Sequence, residues 1–237
     1  MNKIVAIHQP NFFPWLGFFD KIARSDIFIL LDDVQFPKTG GVWCNRVKLL
    51  VSDEARWVTA PIDRNYSGTR LIREMEFLPD NRWRKKMLKT LDANYRKHPF
   101  VNEALDVIGA LIMNEEANVA EYNVNAIKGI AHKLGVNASK FVRSSQYKTS
   151  SASNDLLCDL TLSVGGEIYL SGGGADGYQC GSVFDRREVI LAYQDFEHPI
   201  YPQLGRSDFI GGLSVIDAVM NIGWDALRDL LSNGIEK

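Results

Sequence analysis

Nowhere does the sequence hold a run of about 18 apolar residues, the length a membrane-spanning helix needs. The longest candidate, Phe12 to Leu31, is interrupted by Asp20, Lys21, Arg24 and Asp26, so no membrane span is expected. The opening "MNKIVAIHQP" has one lysine, a short apolar run and no small-residue cleavage site; no secretory leader is expected. Cysteine is scarce. Cys44, Cys158 and Cys180 form no CxxC pair and no even set, which argues against a disulfide framework and for a reducing, cytoplasmic home. Cys44 and Cys180 read as small apolar fillers. The four histidines lie far apart and none is spaced with a cysteine as a zinc ligand, so no metal site is expected. Charge of one sign is missing too: 27 basic against 29 acidic residues leave a net −2. That excludes a generic polyanion binder, and no nucleic-acid partner is expected. There are no internal repeats, and no Gly-Lys-Ser/Thr closes a phosphate-binding P-loop.

What is present suits one sizeable core: 237 residues, 46% of them apolar. Residues 3–8 read as a buried strand, 14–24 as a helix with Leu16, Phe19, Ile22 and Ala23 on one face, and "DIFILL" as a second strand. Strand, helix and strand within about 30 residues form the βαβ unit of a parallel sheet. Residues 36–62 read as short strands or a hairpin around a loop with Gly40-Gly41. Helices are expected at 81–97, 99–114 and 116–134, with Gly135 as a C-terminal glycine. Strands follow at 140–145, 167–172 and 188–196, and helices at 152–164, 213–222 and 224–233. The run "SSQYKTSSAS" at 144–153 is the best candidate for a mobile loop. The whole, 1–237, is expected to be a single α/β domain with a helical insertion at 80–135.

Ligands of open parallel sheets bind beyond the carboxyl ends of the strands. Three such ends carry unusual polar residues: His8, Gln9 and Asn11; Asp32, Asp33 and Gln35; and Ser171 with the following glycines, Asp176 and Tyr178. His8 can act as base, acid or hydrogen-bond donor, or merely tie a turn. The neighbouring Pro10, Pro14 and Gly17 favour a built loop before a helix N-terminus. Asp32 and Asp33 can hold Mg²⁺, orient an amine or bind a ribose, or simply cap a turn. In "WCNRVKL", Asn45 sits beside Arg46, which can clamp an anion bidentately. "LSGGGADGY" can cradle phosphate or only turn tightly; Ser171 lacks a nucleophile elbow. "HPIYPQ" brings His198, Tyr201 and Gln203 to the same rim. The basic run Arg82, Arg84, Lys85, Lys86, Lys89, Arg96 and Lys97 reads as the outer face of an amphipathic helix, either solvated or a dock for an acidic carrier protein. On that helix Trp83, Met87, Leu88, Leu91 and Tyr95 share the buried stripe.

Taken in order, "HQPNFFPWLGFFDKI", "LDDVQF", "WCNRVKL", "YLSGGGADGY", "HPIYPQ" and "LSVIDAVMNIG" resemble the WbqC-like family of bacterial proteins, from the first strand to about Gly223. The resemblance implies an enzyme of surface-polysaccharide biosynthesis, O-antigen above all, or of natural-product pathways. It marks as motif positions His8, Gln9, Pro10, Trp15, Gly17, Lys21, Asp32, Gln35, Asn45, Arg46, Tyr169, Ser171, Gly172, Tyr178, His198, Pro199, Tyr201 and Gln203. More distantly, the first unit is similar to the nucleotidylyltransferase-like, Rossmann-like domains, without their second histidine. The expected catalytic residues are His8, Asp32 and Asp33, with Gln9, Trp15, Gly17, Lys21, Gln35, Asn45, Arg46, Ser171, Gly172, Tyr178, His198, Tyr201 and Gln203 expected to bind the substrate. Three readings follow: a transferase placing an acyl or aminoacyl group from coenzyme A or a carrier protein on a nucleotide-linked amino sugar; a nucleotidyl or adenylyl transferase using ATP and Mg²⁺; and a non-catalytic binding protein of a biosynthetic complex. Oligomeric state stays open.

Overall fold

A computed structural model describes residues 2–37, 43–173 and 179–232. The short apolar runs become strands and the longer periodic ones helices: β1 (Ile4–His8), α1 (Leu16–Arg24), β2 (Ile27–Leu30), β3 (Arg46–Val51), β4 (Glu54–Thr59), α2 (Arg82–Tyr95), α3 (Val101–Ile112), α4 (Val119–Lys133), β5 (Phe141–Arg143), α5 (Ser153–Ser163), β6 (Ile168–Ser171), α6 (Gly181–Arg186), β7 (Ile190–Tyr193) and α7 (Val215–Ser232). Five strands form one sheet in the order β5-β2-β1-β6-β7, and every adjacent pair is parallel. The chain builds from β1 through β2 to β5 on one side, then returns to lay β6 and β7 on the other. The reversal falls between β1 and β6, where an open α/β sheet leaves a crevice.

Side chains alternate across the pleat. Ala6, Phe28, Leu30, Phe141 and Leu170 face α1, α4, α7 and the β3–β4 hairpin. Val5, Ile7, Ile29 and Tyr169 face Cys158 and Leu160 of α5 and Phe184 of α6. A sheet covered on both faces needs apolar residues at successive positions, which is why the strands read as unbroken runs rather than as alternation. The fold is α/β and Rossmann-like, as the strand–helix order predicts. Buried residues of α2, α3 and α4, among them Met87, Ile108 and Tyr122, join the same apolar cluster as Phe19 and Val219. Among the described residues no helix is long and apolar enough to cross a membrane.

Several local expectations change. The hairpin turns at Ser52 and Asp53, both left-handed (φ 52 and 61), as a two-residue type I′ turn requires; Gly40 and Gly41 lie outside the described residues. Helix α1 starts at Leu16 rather than Pro14, because Trp15 pairs with Ser214. It is buried almost all round, Asp20 and Lys21 included. The two expected C-terminal helices are the halves of α7, broken at Gly223 (φ 74, ψ 176). A Cβ at Gly223 would lie 2.7 Å from the Phe100 ring, so only glycine fits both the angle and the space. Gly135 ends α4 as expected, with its N–H on the His132 carbonyl at 3.0 Å. The serine run at 144–153 opens as a fixed turn: Ser144 is fully buried. Helix α6, six residues long, is too short to show a period in the sequence.

The basic helix needs the largest correction. Trp83, Met87, Leu91 and Tyr95 are buried and Leu88 half-buried, while Lys85, Lys86, Lys89 and Arg96 are exposed. Arg84 is not on the outer face; it is 2% exposed. Its guanidinium donates to the carbonyls of Asn114 (2.7 Å) and Glu116 (2.8 Å) and to Asn81 Oδ1 (2.6 Å), and stacks 4.4 Å from the Trp83 ring. A buried cation survives when its donors are met, and here it ties α2 to the α3–α4 connection. Arg84→Met is expected to lower unfolding free energy by ~2–4 kcal/mol, since it strands buried carbonyls. Lys85→Met should change it by less than ~0.5 kcal/mol. Urea unfolding of the pair checks the assignment, which equal effects would overturn.

Candidate functional site

A cavity of about 520 Å³ opens at the carboxyl ends of β1 and β6 and is lined by His8, Trp15, Gly17, Phe18, Lys21, Tyr169, Ser171, Gly172 and Gln194, with Ile7, Gly173 and Phe196. Strand β1 ends at His8 and β6 at Ser171, so the reversal of strand order places both side chains at its mouth. Helix α1 closes one wall, and α1 can come this close because residue 17 is glycine. A Cβ there would lie 2.6 Å from Trp15 Nε1 and 2.9 Å from the Phe196 ring.

His8 donates from Nδ1 to the Gln9 carbonyl at 3.0 Å; a carbonyl only accepts, so that nitrogen carries the hydrogen. Nε2 then holds a lone pair. The imidazole is edge-on to Phe18 (4.8 Å) and Trp15 (5.9 Å). Burial among these rings and the nearby Lys21 ammonium lower its pKa to about 3, so it is neutral at physiological pH. Lys21 donates to the Ile7 carbonyl at 3.0 Å and lies 5.9 Å from the centre of the Tyr169 ring. Among the described residues no carboxylate pairs with it. Burial lowers its pKa from 10.5 to about 8.

Gln194 was not visible as a site residue. It follows β7 by one position, buried, and its amide nitrogen donates to the Gly17 carbonyl (2.7 Å) and to Asp20 Oδ2 (2.6 Å). Both amide hydrogens are spent, so Oε1 can only accept. It lies 3.9 Å from where a Gly172 Cβ would be. Asp20 is fixed in turn by Arg24, one helical turn on, at 2.9 Å. Ser171 is fully buried at the end of β6, its hydroxyl beside the Tyr169 phenol. Burial also raises Tyr169 to about 12, so it stays a neutral phenol.

Other candidates lie elsewhere. Asp32 does not reach the cavity. Its carboxylate accepts from Ser145 N (3.1 Å), Ser145 Oγ (3.0 Å) and Ser144 Oγ (3.2 Å), with Arg143 at 3.6 Å. Asp33 accepts from Ser144 Oγ as well. The pair brackets β2 to the segment after β5, apart from the cavity that holds His8. Asn45 donates to the Ala60 carbonyl (2.9 Å), and Gln35 is exposed and bridges Leu71. Tyr201 and Gln203 donate to buried Asp217 at 2.8 and 3.0 Å, where Tyr95 joins at 3.0 Å; their expected place at the rim is a packed network instead. His198 lines an adjoining cavity of about 630 Å³ with Asp20, Arg24, Asp195 and Glu197, which shares Gln194 and Phe196 with the first. Gln9 contributes its carbonyl. Arg46 stacks on Trp57 at 4.0 Å, away from the cavity wall. Tyr178 and Asp176 lie outside the described residues. Among those described, no group of three His, Cys, Asp or Glu side chains is placed to hold a metal ion.

Lys21 gives a test of sign. Its folded pKa lies below its unfolded value, so below pH 8 the folded state holds a disfavoured charge, and stability rises as pH climbs from 8 towards 10.5. Lys21→Met should therefore stabilise the fold at pH 7, by ~1–3 kcal/mol, and should lack the alkaline rise. Urea unfolding from pH 7 to 10 measures both; a less stable variant would mean that the bond to Ile7 outweighs desolvation.

The chain matches the model of the WbqC-like protein family over residues 9–229. It is 29% identical over 226 residues to the uncharacterized protein Rv1507c of Mycobacterium tuberculosis (strain ATCC 25618 / H37Rv), an alignment covering 94% of this chain and 96% of that protein. No solved structure matches. With the family model spanning nearly every element of the fold, from Gln9 beside the cavity to the second half of α7, the chain belongs to the WbqC-like protein family.

Proposed function

We propose that this protein is a biosynthetic transferase that attaches an acyl or aminoacyl group to the amine of a nucleotide-linked amino sugar. Family membership suggests a role in polysaccharide biosynthesis. The observation that carries the finer reading is the polarity of the cavity. Among the described residues, His8 Nε2 and Gln194 Oε1 are hydrogen-bond acceptors without a donor, and Lys21 is a cation without a carboxylate. Such a wall favours a ligand that offers N–H groups to the acceptors and places a negative oxygen at the ammonium.

In the proposed reaction, the sugar amine donates one hydrogen to His8 Nε2 and another to Gln194 Oε1. Its lone pair attacks the carbonyl carbon of an acyl thioester, on coenzyme A or a carrier protein. The C–N bond forms, the carbonyl electron pair moves to oxygen, and that oxyanion faces Lys21. Burial first and the Lys21 field second hold His8 weakly basic; the new negative charge offsets the Lys21 part and stabilises the imidazolium, so His8 takes the proton as the charge develops. Collapse breaks the C–S bond, and His8 returns the proton to the leaving thiolate. The Ser171 hydroxyl can bond to either partner. A carrier-bound donor would meet the exposed lysines of α2, Lys85, Lys86 and Lys89. A Mg²⁺-nucleotide reaction draws less support, because the Asp32 oxygens are already engaged by Ser144, Ser145 and Arg143.

The test is mass spectrometry of the protein with nucleotide amino sugars and acyl thioesters. The expected product is heavier by one acyl group, and His8→Gln and Lys21→Met should lower its rate about 100-fold or more with the fold intact. The wild-type rate should fall as pH rises above about 8, where Lys21 loses its proton. Lys21→Arg, charged throughout, should lack that fall. Release of pyrophosphate from ATP, or no turnover with any donor, would overturn the reading.

A further inference from the structure

The β3–β4 hairpin carries a feature that the proposed reaction leaves unused. Alternation along β3 sends Val47 and Leu49 into the core and Arg46 and Lys48 to the outer face. Register places Trp57 opposite Lys48, and Arg46 one step diagonal to it. The three meet: the Arg46 guanidinium lies 4.0 Å and the Lys48 ammonium 5.1 Å from the centre of the Trp57 ring. Neither cation has a carboxylate or hydrogen-bond acceptor among the described residues, and Arg46 Nε is buried without a partner. Trp57 is 37% and Trp43 38% exposed, unusually open for indoles. The rings run in contact from the hairpin to the cavity, Trp57 to Trp43 at 4.8 Å and Trp43 to Trp15 at 5.2 Å. Trp15 is a wall of the cavity that holds His8.

We propose that this ledge binds the nucleoside diphosphate portion of the substrate, with its base on the exposed face of Trp43 and its diphosphate on Arg46 and Lys48, so that the attached sugar passes Trp15 into the His8 cavity. This rests on the reading of the substrate as a nucleotide sugar. Two cations lacking an anion, one held rigid by stacking, suit a diphosphate: the guanidinium fork is pre-positioned and its desolvation is already met by the indole. An exposed indole beside them supplies the sequence-tolerant stacking surface that bases use. A protein interface would use the same aromatics and arginine, but it does not call for a pair of uncompensated cations leading to a cavity.

Calorimetry with UDP, dTDP and uridine as probes separates the parts. Arg46→Gln and Lys48→Gln should each weaken the diphosphates roughly tenfold and leave uridine unchanged. Trp43→Leu should weaken diphosphates and uridine alike, also roughly tenfold. Binding of the diphosphates should weaken with salt. Failure of the wild type to bind either diphosphate, or unchanged affinity in all three variants, overturns the ledge. So does a change in oligomeric state in Trp43→Leu by light scattering with diphosphate affinity intact, which would make the ledge a protein contact. The two readings fail separately. If the binding pattern holds but no acyl product forms with any sugar, the ledge stands and the transferase falls. If product forms and the KM for the nucleotide sugar is the same in Arg46→Gln and Trp43→Leu, the transferase stands and the ledge falls.

Discussion

The loop that leads from His8 to α1 depends on one buried side chain that does not itself line the cavity. Asn123 of α4 is fully buried, and its amide nitrogen donates to the carbonyls of Pro10 (2.9 Å) and Cys44 (2.7 Å). Both are carbonyls of irregular backbone held away from water, where a missing partner would cost about 1–3 kcal/mol each. Around it, Phe12 N–H donates to Trp43 O (2.7 Å), Ser214 Oγ to Phe13 O (2.7 Å) and Val215 N–H to Pro14 O (2.9 Å). The segment between β1 and α1 is thus pinned from α4, from the residues before β3 and from the start of α7. It includes Phe13 at φ 44, a conformation that costs a bulky residue about 1–3 kcal/mol and persists only where the surroundings over-determine it. Its two prolines, Pro10 and Pro14, have no N–H to satisfy, which lightens the requirement.

That pinning gives the helices between β4 and β5 a role beyond filling space. They supply Asn123 to the loop, and through Arg84 they fix their own connection to α2. The rigidity passes to the cavity: with residues 10–14 held, Trp15 and the first turn of α1 have one position, and Gly17 admits Trp15 and Phe196 where any side chain would push them apart. Rigidity before a ligand arrives is what keeps dipoles and charges aimed without a reorganisation cost.

The parallel sheet, its strand ends and the place of His8 and Ser171 were legible, because a run such as "IVAIH" or "EIYLSG" has only one way to be buried on both faces. The cavity's other polar groups were legible in uneven measure. Lys21 was marked by the family resemblance alone, and nothing local told that its ammonium would be buried against the Ile7 carbonyl. Gln194 carried no signal, since its role comes from partners on α1 more than 170 positions earlier. Asp32 and Asp33 were expected to share the crevice with His8, because a pair of acids after a strand says nothing of the serines that will meet them. Arg84 misled for the opposite reason: helical spacing places it beside buried Trp83, but carbonyls from a later loop decide that it can be buried at all. Where the deciding partner is local the sequence is readable; where it is a distant backbone oxygen it is not.

Helix α7 adds a consequence for the order in which the molecule can assemble. Its buried Val215, Ile216, Val219, Met220 and Leu227 cover the sheet on the side where α1 packs, and the Phe100 ring seats at its Gly223 break. Helix α1, near one end of this sequence, is therefore roofed by residues past 215, near the other. Without them, α1, the inner face of the hairpin and the Phe100 ring lose the part of their cover that α7 supplies. The opposite face, closed by α5 and α6, matures sooner. Until α7 docks, this side of the sheet is the apolar surface on which a chaperone would act.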